Sequence, residues 1–271
     1  MTGAGGAAPA ACELALRRAL PWRVWLDYLR PRLIAGPEAV DGDVYLRRVG
    51  ASTIRVAADG PRVARRLRLV GVADPGDAAA SRVARLFAAD EDPRPAAQAL
   101  ARCPDLRPRI GRVPGLRPLG CWDGFELCVR TVIGQQVSVA AAATLTQRLV
   151  QRCGGSLTPS GVLDADLARI GMPGRRVATL RGLARAVVDG HLRLESAGWN
   201  EVDRVLQDLP GFGPWTRAYL AIRLGRDPDA FPHGDVGLIR AAGCHSPAGL
   251  LRRAEAWRPY RALAATYLWT V

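Results

Sequence analysis

Two periodicities divide the chain. Between Val44 and Val72 apolar and polar residues alternate with period two: Val44 and Leu46 against Tyr45 and Arg47, the run Thr53-Ile-Arg-Val56, and Arg66-Leu-Arg-Leu-Val70. Alternate side chains of a strand point to opposite faces, so the pattern predicts half-buried strands. Gly50-Ala51 and Asp59-Gly60-Pro61 fall at the breaks and read as turns. The segment is therefore a small antiparallel sheet. A helix starting near Asp77 follows, with Val83, Leu86 and Phe87 on one face. Together these make an α+β N-terminal domain over residues 20–104. Residues 1–19 are rich in Ala and Gly and are expected to be flexible, with order beginning near Pro21.

Residues 105–120 are rich in Pro, Gly and Arg and read as a linker or an ordered connecting loop. Beyond them the apolar spacing changes to three and four. Asp123 can cap a helix carrying Phe125, Val129, Val132 and Ile133; Ser138 can cap another carrying Ala141, Leu145 and Leu149. A short helix is expected from Asp164 to Ile170, a longer one from Arg175 to Val188, and others from Glu201 to Leu209, from Pro214 to Gly225, after Ser246-Pro247 and from about Arg258 to Trp269. Residues 105–271 are thus an all-α bundle, whose helices can form two subdomains. The fold class is α+β overall, a small N-terminal antiparallel sheet with helices followed by helices alone.

At 271 residues and 49% apolar, the chain can bury a sizeable core. Its net charge of +13 exceeds what folding needs, and phosphate is the commonest partner for such a surplus. All 38 basic residues are arginine. A GC-rich coding bias is the favoured explanation of that choice over phosphate binding, but either way no side-chain amine exists to form a Schiff base. The six cysteines, at 12, 103, 121, 128, 153 and 244, form no Cys-x-x-Cys pair and do not cluster with histidine. No metal centre or disulfide framework is expected, and the thiols should be free. No apolar run reaches membrane-spanning length and no leader pattern opens the sequence, which predicts a cytoplasmic protein.

The densest chemical signal is Leu209-Pro-Gly-Phe-Gly-Pro-Trp-Thr-Arg217. Two glycines flank an apolar residue and lead into a helix, so N–H groups of a tight turn can face a phosphate. Such turns also occur as plain structural closures. Here Leu206 and Leu209 precede the turn and Tyr219, Leu220 and Ile222 follow it, so both helices of a helix-hairpin-helix are present. Asp235, in Phe231-Pro-His-Gly-Asp-Val-Gly-Leu238, lies one helix and one loop later. An Asp there caps a helix or presents an acid to a cleft, and at a helix N-terminus the two roles coexist. His233, two residues earlier, reads as a polar loop residue.

At these residues the chain resembles the helix-hairpin-helix superfamily of base-excision DNA glycosylases, and within it the bacterial DNA-3-methyladenine glycosylase II group. The resemblance runs from Trp22–Tyr28 through Arg130-Thr-Val-Ile-Gly-Gln-Gln-Val-Ser138 and the hairpin to Trp257-Arg-Pro-Tyr-Arg261 and Trp269. It implies Asp235 as the catalytic carboxylate and Trp215, Tyr219, Trp269 and Tyr28 as walls of a base pocket. It also implies Gly211, Phe212, Gly213, Thr216, Gln135, Gln136 and Ser138 as DNA contacts, with Gln136 at the place of the wedge that fills the gap left by a flipped nucleotide. The family's wedge is apolar, so this glutamine is a departure. In bifunctional members a lysine holds the slot of Trp215, and some members carry a four-cysteine iron–sulfur cluster that this sequence lacks.

The resemblance accordingly implies a monofunctional hydrolase for alkylated purines, acting as a monomer on double-stranded DNA. No cofactor is required, and the resemblance allows a structural monovalent cation on hairpin carbonyls such as those of Gln207, Leu209 and Phe212. Two other readings stay open: a glycosylase of the same fold for deaminated or oxidised bases, and a non-enzymatic helix-hairpin-helix DNA-binding module.

Overall fold

The alternation after Val44 forms three strands of a five-stranded antiparallel sheet. The computed structural model describes residues 10–271. Its strands are β1 (Ala11–Leu20), β2 (Glu38–Asp41), β3 (Val44–Val49), β4 (Ser52–Ala58) and β5 (Ala64–Val70), in the spatial order β1-β5-β4-β3-β2. Register places Tyr45 opposite Val56 and Val56 opposite Leu69, so one row of buried side chains crosses the inner face.

The expectation of a flexible segment up to residue 19 is corrected. Ala11–Leu20 is paired to β5, with Cys12 opposite Leu69 and Leu14 opposite Leu67. Cys12, Leu14 and Leu16 turn inward while Ala11, Glu13, Ala15 and Arg17 face out. The alternation is real, but alanines at 11 and 15 on the outward row blur its contrast, and pairing with β5 orders the strand. Residues 1–9 lie outside the described residues.

Helix α1 (Trp22–Leu29) packs on the inner face through Trp22, Trp25, Leu26 and Leu29, the three-and-four spacing of a core-facing stripe. Helices α2 (Ala78–Leu86), α3 (Arg94–Leu100) and α4 (Arg107–Arg112) follow. Segment 105–120 is thus an ordered connection. Arg117 within it is buried and donates to the carbonyls of Glu91 and Arg18.

The remaining helices are α5 (Gly124–Gly134), α6 (Val139–Arg152), α7 (Pro159–Asp164), α8 (Gly174–Val188), α9 (Trp199–Asp208), α10 (Pro214–Arg223), α11 (Val236–Ala241), α12 (Pro247–Ala254) and α13 (Arg261–Thr270). Asp123 and Ser138 cap α5 and α6 as expected, accepting from Glu126 N and Ala141 N. The short helix expected at 164–170 ends where it was to begin. Thr158 caps it and Pro159 takes the first position, where a missing N–H costs nothing.

Two buried clusters result. One joins the sheet and α1–α2 to Ile222 of α10 and to Leu238, Leu250, Leu263 and Tyr267 of α11–α13. The other joins α5–α9 to Phe212 and Leu220. Helix α10 contributes to both, and the cleft between the two clusters opens beside it.

Candidate active site and nucleic-acid interface

Asp235 is the N-cap of α11. Its Oδ1 accepts from Leu238 N at 2.9 Å and from Trp269 Nε1 at 3.2 Å, and its Oδ2 accepts from Trp215 Nε1 at 3.0 Å. Cap and cleft acid are therefore the same group, held by three donors.

Trp215 and Tyr219 lie one turn apart on α10 with rings stacked at 5.5 Å, and Trp269 of α13 meets Tyr219 edge-on at 5.7 Å. With Tyr28 of α1 and with Asp235 they line one cavity of about 360 Å³, within the roughly 300–1,000 Å³ of small-molecule sites. The structure thus brings together all five residues expected at the base pocket, from four helices and both clusters.

Three arginines absent from the sequence reading share this cavity: Arg32, Arg130 and Arg223. The Arg32 guanidinium covers the Tyr28 ring at 3.9 Å. Arg223 donates to Tyr219 Oη and to the carbonyls of Leu119 and Gly120, each at 2.8 Å. Burial and the adjoining Tyr219 push Tyr28 up to about 12. Burial also raises Tyr219, but the Arg223 guanidinium outweighs it and holds that hydroxyl below the usual tyrosine range. One wall hydroxyl is thereby a firm proton holder and the other a polarised acceptor.

Behind the pocket, Glu38 of β2, Arg47 of β3, and Glu126 and Arg130 of α5 form a buried ion network. Arg47 spans Glu38 at 3.3 Å and Glu126 at 2.5 Å, and Arg130 reaches Glu38 at 3.3 Å. Tyr45 Oη and Ile34 N both donate to Glu38 at 2.8 Å. Desolvation pushes Glu38 up, yet Arg130 and Arg47 outweigh it and hold the carboxyl below its usual range. The network fastens the sheet to α5 across the cleft.

At the hairpin, Gly211 has φ of +93°, and a Cβ there would stand 2.8 Å from Thr179, so both conformation and space demand glycine. Gly213 has φ of −67° and open space around it. The Phe212 N–H is used within the turn, donating to Leu209 O, whereas those of Gly211 and Gly213 have no partner among the described residues. Ser138 is exposed at its cap, and Gln136 is exposed with φ of +57°.

Three of the expected DNA contacts turn their side chains to the protein. Thr216 is 3% exposed and accepts from Gln135 Nε2 at 2.9 Å, so its side chain faces the protein. The spacing of buried Phe212, Thr216 and Leu220, four residues apart, is the signal that marks it as inward-facing. Phe212 is likewise buried, anchoring the turn in the second cluster. Gln135 spends its amide on Thr216 and on Gly211 O at 2.8 Å.

This geometry has close relatives. The family model described as AlkA N-terminal domain matches residues 11–123, and that described as HhH-GPD superfamily base excision DNA repair protein matches residues 129–248. DNA-3-methyladenine glycosylase 2 of Escherichia coli is 32% identical over 267 residues, which cover 92% of this chain and 93% of that protein. The chain belongs to the helix-hairpin-helix family of base-excision DNA glycosylases. A Mycobacterium tuberculosis family member, named a probable bifunctional transcriptional activator/DNA repair enzyme AlkA, is 37% identical over 71% of this chain, but the match spans only 42% of that longer protein. The 3-methyladenine DNA glycosylase structure from Archaeoglobus fulgidus shares this family fold, with a TM-score of 0.80 over 95% of this chain and 97% of that one at 19% identity. The Schizosaccharomyces pombe 3-methyladenine DNA glycosylase in complex with abasic DNA aligns with a TM-score of 0.58 and 25% identity, over 65% of this chain and 95% of that one.

Proposed function

We propose that this glycosylase releases alkylated purines of the 3-methyladenine and 7-methylguanine class from duplex DNA and leaves an uncut abasic strand. The observation that carries the reading is Asp235, fixed by Trp215, Trp269 and Leu238 at the wall of an aromatic cavity.

The free N–H groups of Gly211 and Gly213 hold phosphates 3′ of the lesion, aided by the arginine-rich surface. Gln136 enters the stack from its exposed turn, and the damaged nucleotide rotates into the cavity. Alkylation at a ring nitrogen makes the base cationic, so the faces of Trp215, Tyr219 and Trp269 attract it more than a normal base. The bond from C1′ to the base nitrogen breaks with its electron pair leaving on the base, which becomes neutral. The oxocarbenium-like sugar is stabilised by the Asp235 carboxylate. Water then bonds to C1′ and gives a proton to that carboxylate.

With no lysine in the chain and Trp215 in the slot before Thr216, no side-chain amine is available to attack the sugar and cleave the strand. The carbonyls of Gln207 and Phe212 take no backbone donor and that of Leu209 takes one, at 3.3 Å, so the turn offers acceptors for a monovalent cation that would stiffen it. One chain on one duplex suffices for these steps, which fits a monomer in the cytoplasm.

The test is release of free base from methylated duplex DNA by the native chain and by Asp235→Asn. Release of 3-methyladenine and 7-methylguanine that vanishes in the variant, with strands broken only on adding alkali, is expected. Tight binding without release by the native chain refutes the alkylation reading. A lesion panel then separates a glycosylase for other bases from a binding module.

A further inference from the structure

The turn between α5 and α6 is tied to the hairpin by one side chain. Gln135 Nε2 donates to Gly211 O and to Thr216 Oγ1, while its backbone carbonyl accepts from Arg176 of α8 at 2.7 Å. Gly211 lies in the hairpin turn and Thr216 in the first turn of α10, so both bonds fall on the segment whose amides face phosphate. Both amide hydrogens are consumed, leaving no N–H of Gln135 for DNA.

The next residue, Gln136, is exposed and left-handed, a conformation that residues with a Cβ adopt sparingly. Such a conformation persists only where the surroundings over-determine it. The three hydrogen bonds on Gln135 supply that constraint. They fix the residue before Gln136 to the hairpin on one side and to α8 on the other.

We propose that Gln135 is a positioning residue that sets the distance between the phosphate-holding amides and Gln136, so that purchase on the backbone becomes base extrusion. The inference rests on the glycosylase reading above and names the device that links its first two steps. Without the tether the hairpin still stands, since Gly211 is held by its own backbone conformation and Phe212 by the core. Phosphate binding therefore persists while Gln136 loses its fixed reach. Gln135→Met keeps the length and removes the donors. Gln135→Glu turns an acceptor toward Gly211 O. Thr216→Val removes one bond and leaves Gln135 in place.

The experiment uses the full chain with three readouts and a thermal melt as the fold check: affinity for undamaged duplex, the fluorescence rise of 2-aminopurine extruded from a mismatched pair, and single-turnover release of methylated purine. With Gln135→Met, extrusion and release should fall together by about ten- to thirtyfold, the worth of two ordinary hydrogen bonds, while undamaged-duplex affinity stays within about twofold; Gln135→Glu, whose carboxylate also repels phosphate, should lose extrusion by a larger factor than it loses affinity. Thr216→Val should fall between them and the native chain, and it carries the test alone if the Gln135 variants melt early. Affinity and extrusion dropping by the same factor, or extrusion left unchanged, overturns the proposal. A native chain that extrudes 2-aminopurine but releases no alkylpurine fails the lesion reading alone, and the extrusion contrast still decides the tether. A native chain that does neither refutes both.

Discussion

Replacing Asp235 separates its two roles. Three N–H donors converge on the carboxylate, from Leu238, Trp269 and Trp215 at 2.9, 3.2 and 3.0 Å. In Asp235→Asn the amide oxygen can keep the Leu238 and Trp269 donors, but the NH₂ then faces the Trp215 N–H, donor against donor. One unsatisfied donor costs about 1–3 kcal/mol, and the two surviving bonds lose their charge assistance. A stability loss of about 2–3 kcal/mol is expected. Asp235→Ser restores the cap to Leu238 N and frees both indoles toward the cavity, so its loss should be nearer 1 kcal/mol. Catalysis should respond differently. Both variants remove the negative charge, and both should lose about 10²- to 10⁴-fold in single-turnover base release. Chemical denaturation gives the stabilities, and duplex affinity measured separately removes binding from the rate. If Asp235→Ser folds well and releases base within about tenfold of the native rate, Asp235 is only a helix cap and the mechanism is wrong.

At the hairpin, Gly211→Ala should cost about 1–3 kcal/mol, from strain at φ of +93° and a clash with Thr179. Gly213→Ala, whose Cβ meets no atom within 4 Å, should leave the melting temperature unchanged and weaken duplex binding, because the new methyl occupies the approach to phosphate. Glu38 is held below its ordinary carboxylate range by Arg130 and Arg47. Its stabilising contribution is therefore present above the unfolded-state value and lost as pH falls through the depressed folded-state one, so acid melts should steepen there and flatten in Glu38→Gln. Glu38→Gln should also cost about 3–5 kcal/mol at neutral pH, read by denaturant titration, because Arg47 and Arg130 lose a buried partner. Borohydride should trap no covalent protein–DNA product, and a trapped adduct would contradict the lysine-free mechanism.

The sequence exposes local pattern and hides what distant segments make together. The faces of β4 and β5 are legible because Ile54, Val56, Leu67 and Leu69 alternate strictly, whereas in β3 the buried row is Tyr45 and Arg47 rather than Val44 and Leu46, because Arg47 is paired with Glu38 and Glu126. β1 alternates too, but with alanine and cysteine among its residues the contrast is faint. Asp235, Trp215, Tyr219 and Trp269 could be named because the hairpin and the acid after it carry the family resemblance, which brings the pocket walls with it. Arg32, Arg130, Arg223 and the Glu38–Arg47–Glu126 ion network could not, since their partners lie up to 104 residues away in the chain. The inward side chain of Thr216 is legible from its four-residue spacing from Phe212 and Leu220, which the motif alone does not reveal.

The sheet's own cluster is completed by α11–α13, the last elements in chain order. During synthesis the sheet and α1–α2 therefore emerge with part of their shared apolar surface uncovered, and it stays so while the second cluster is made. Trp269, one of the donors that fix Asp235, comes with the final helix. The residues of the hairpin thus precede one of the three donors that fix the acid, and a chain cut before Trp269 lacks that bond.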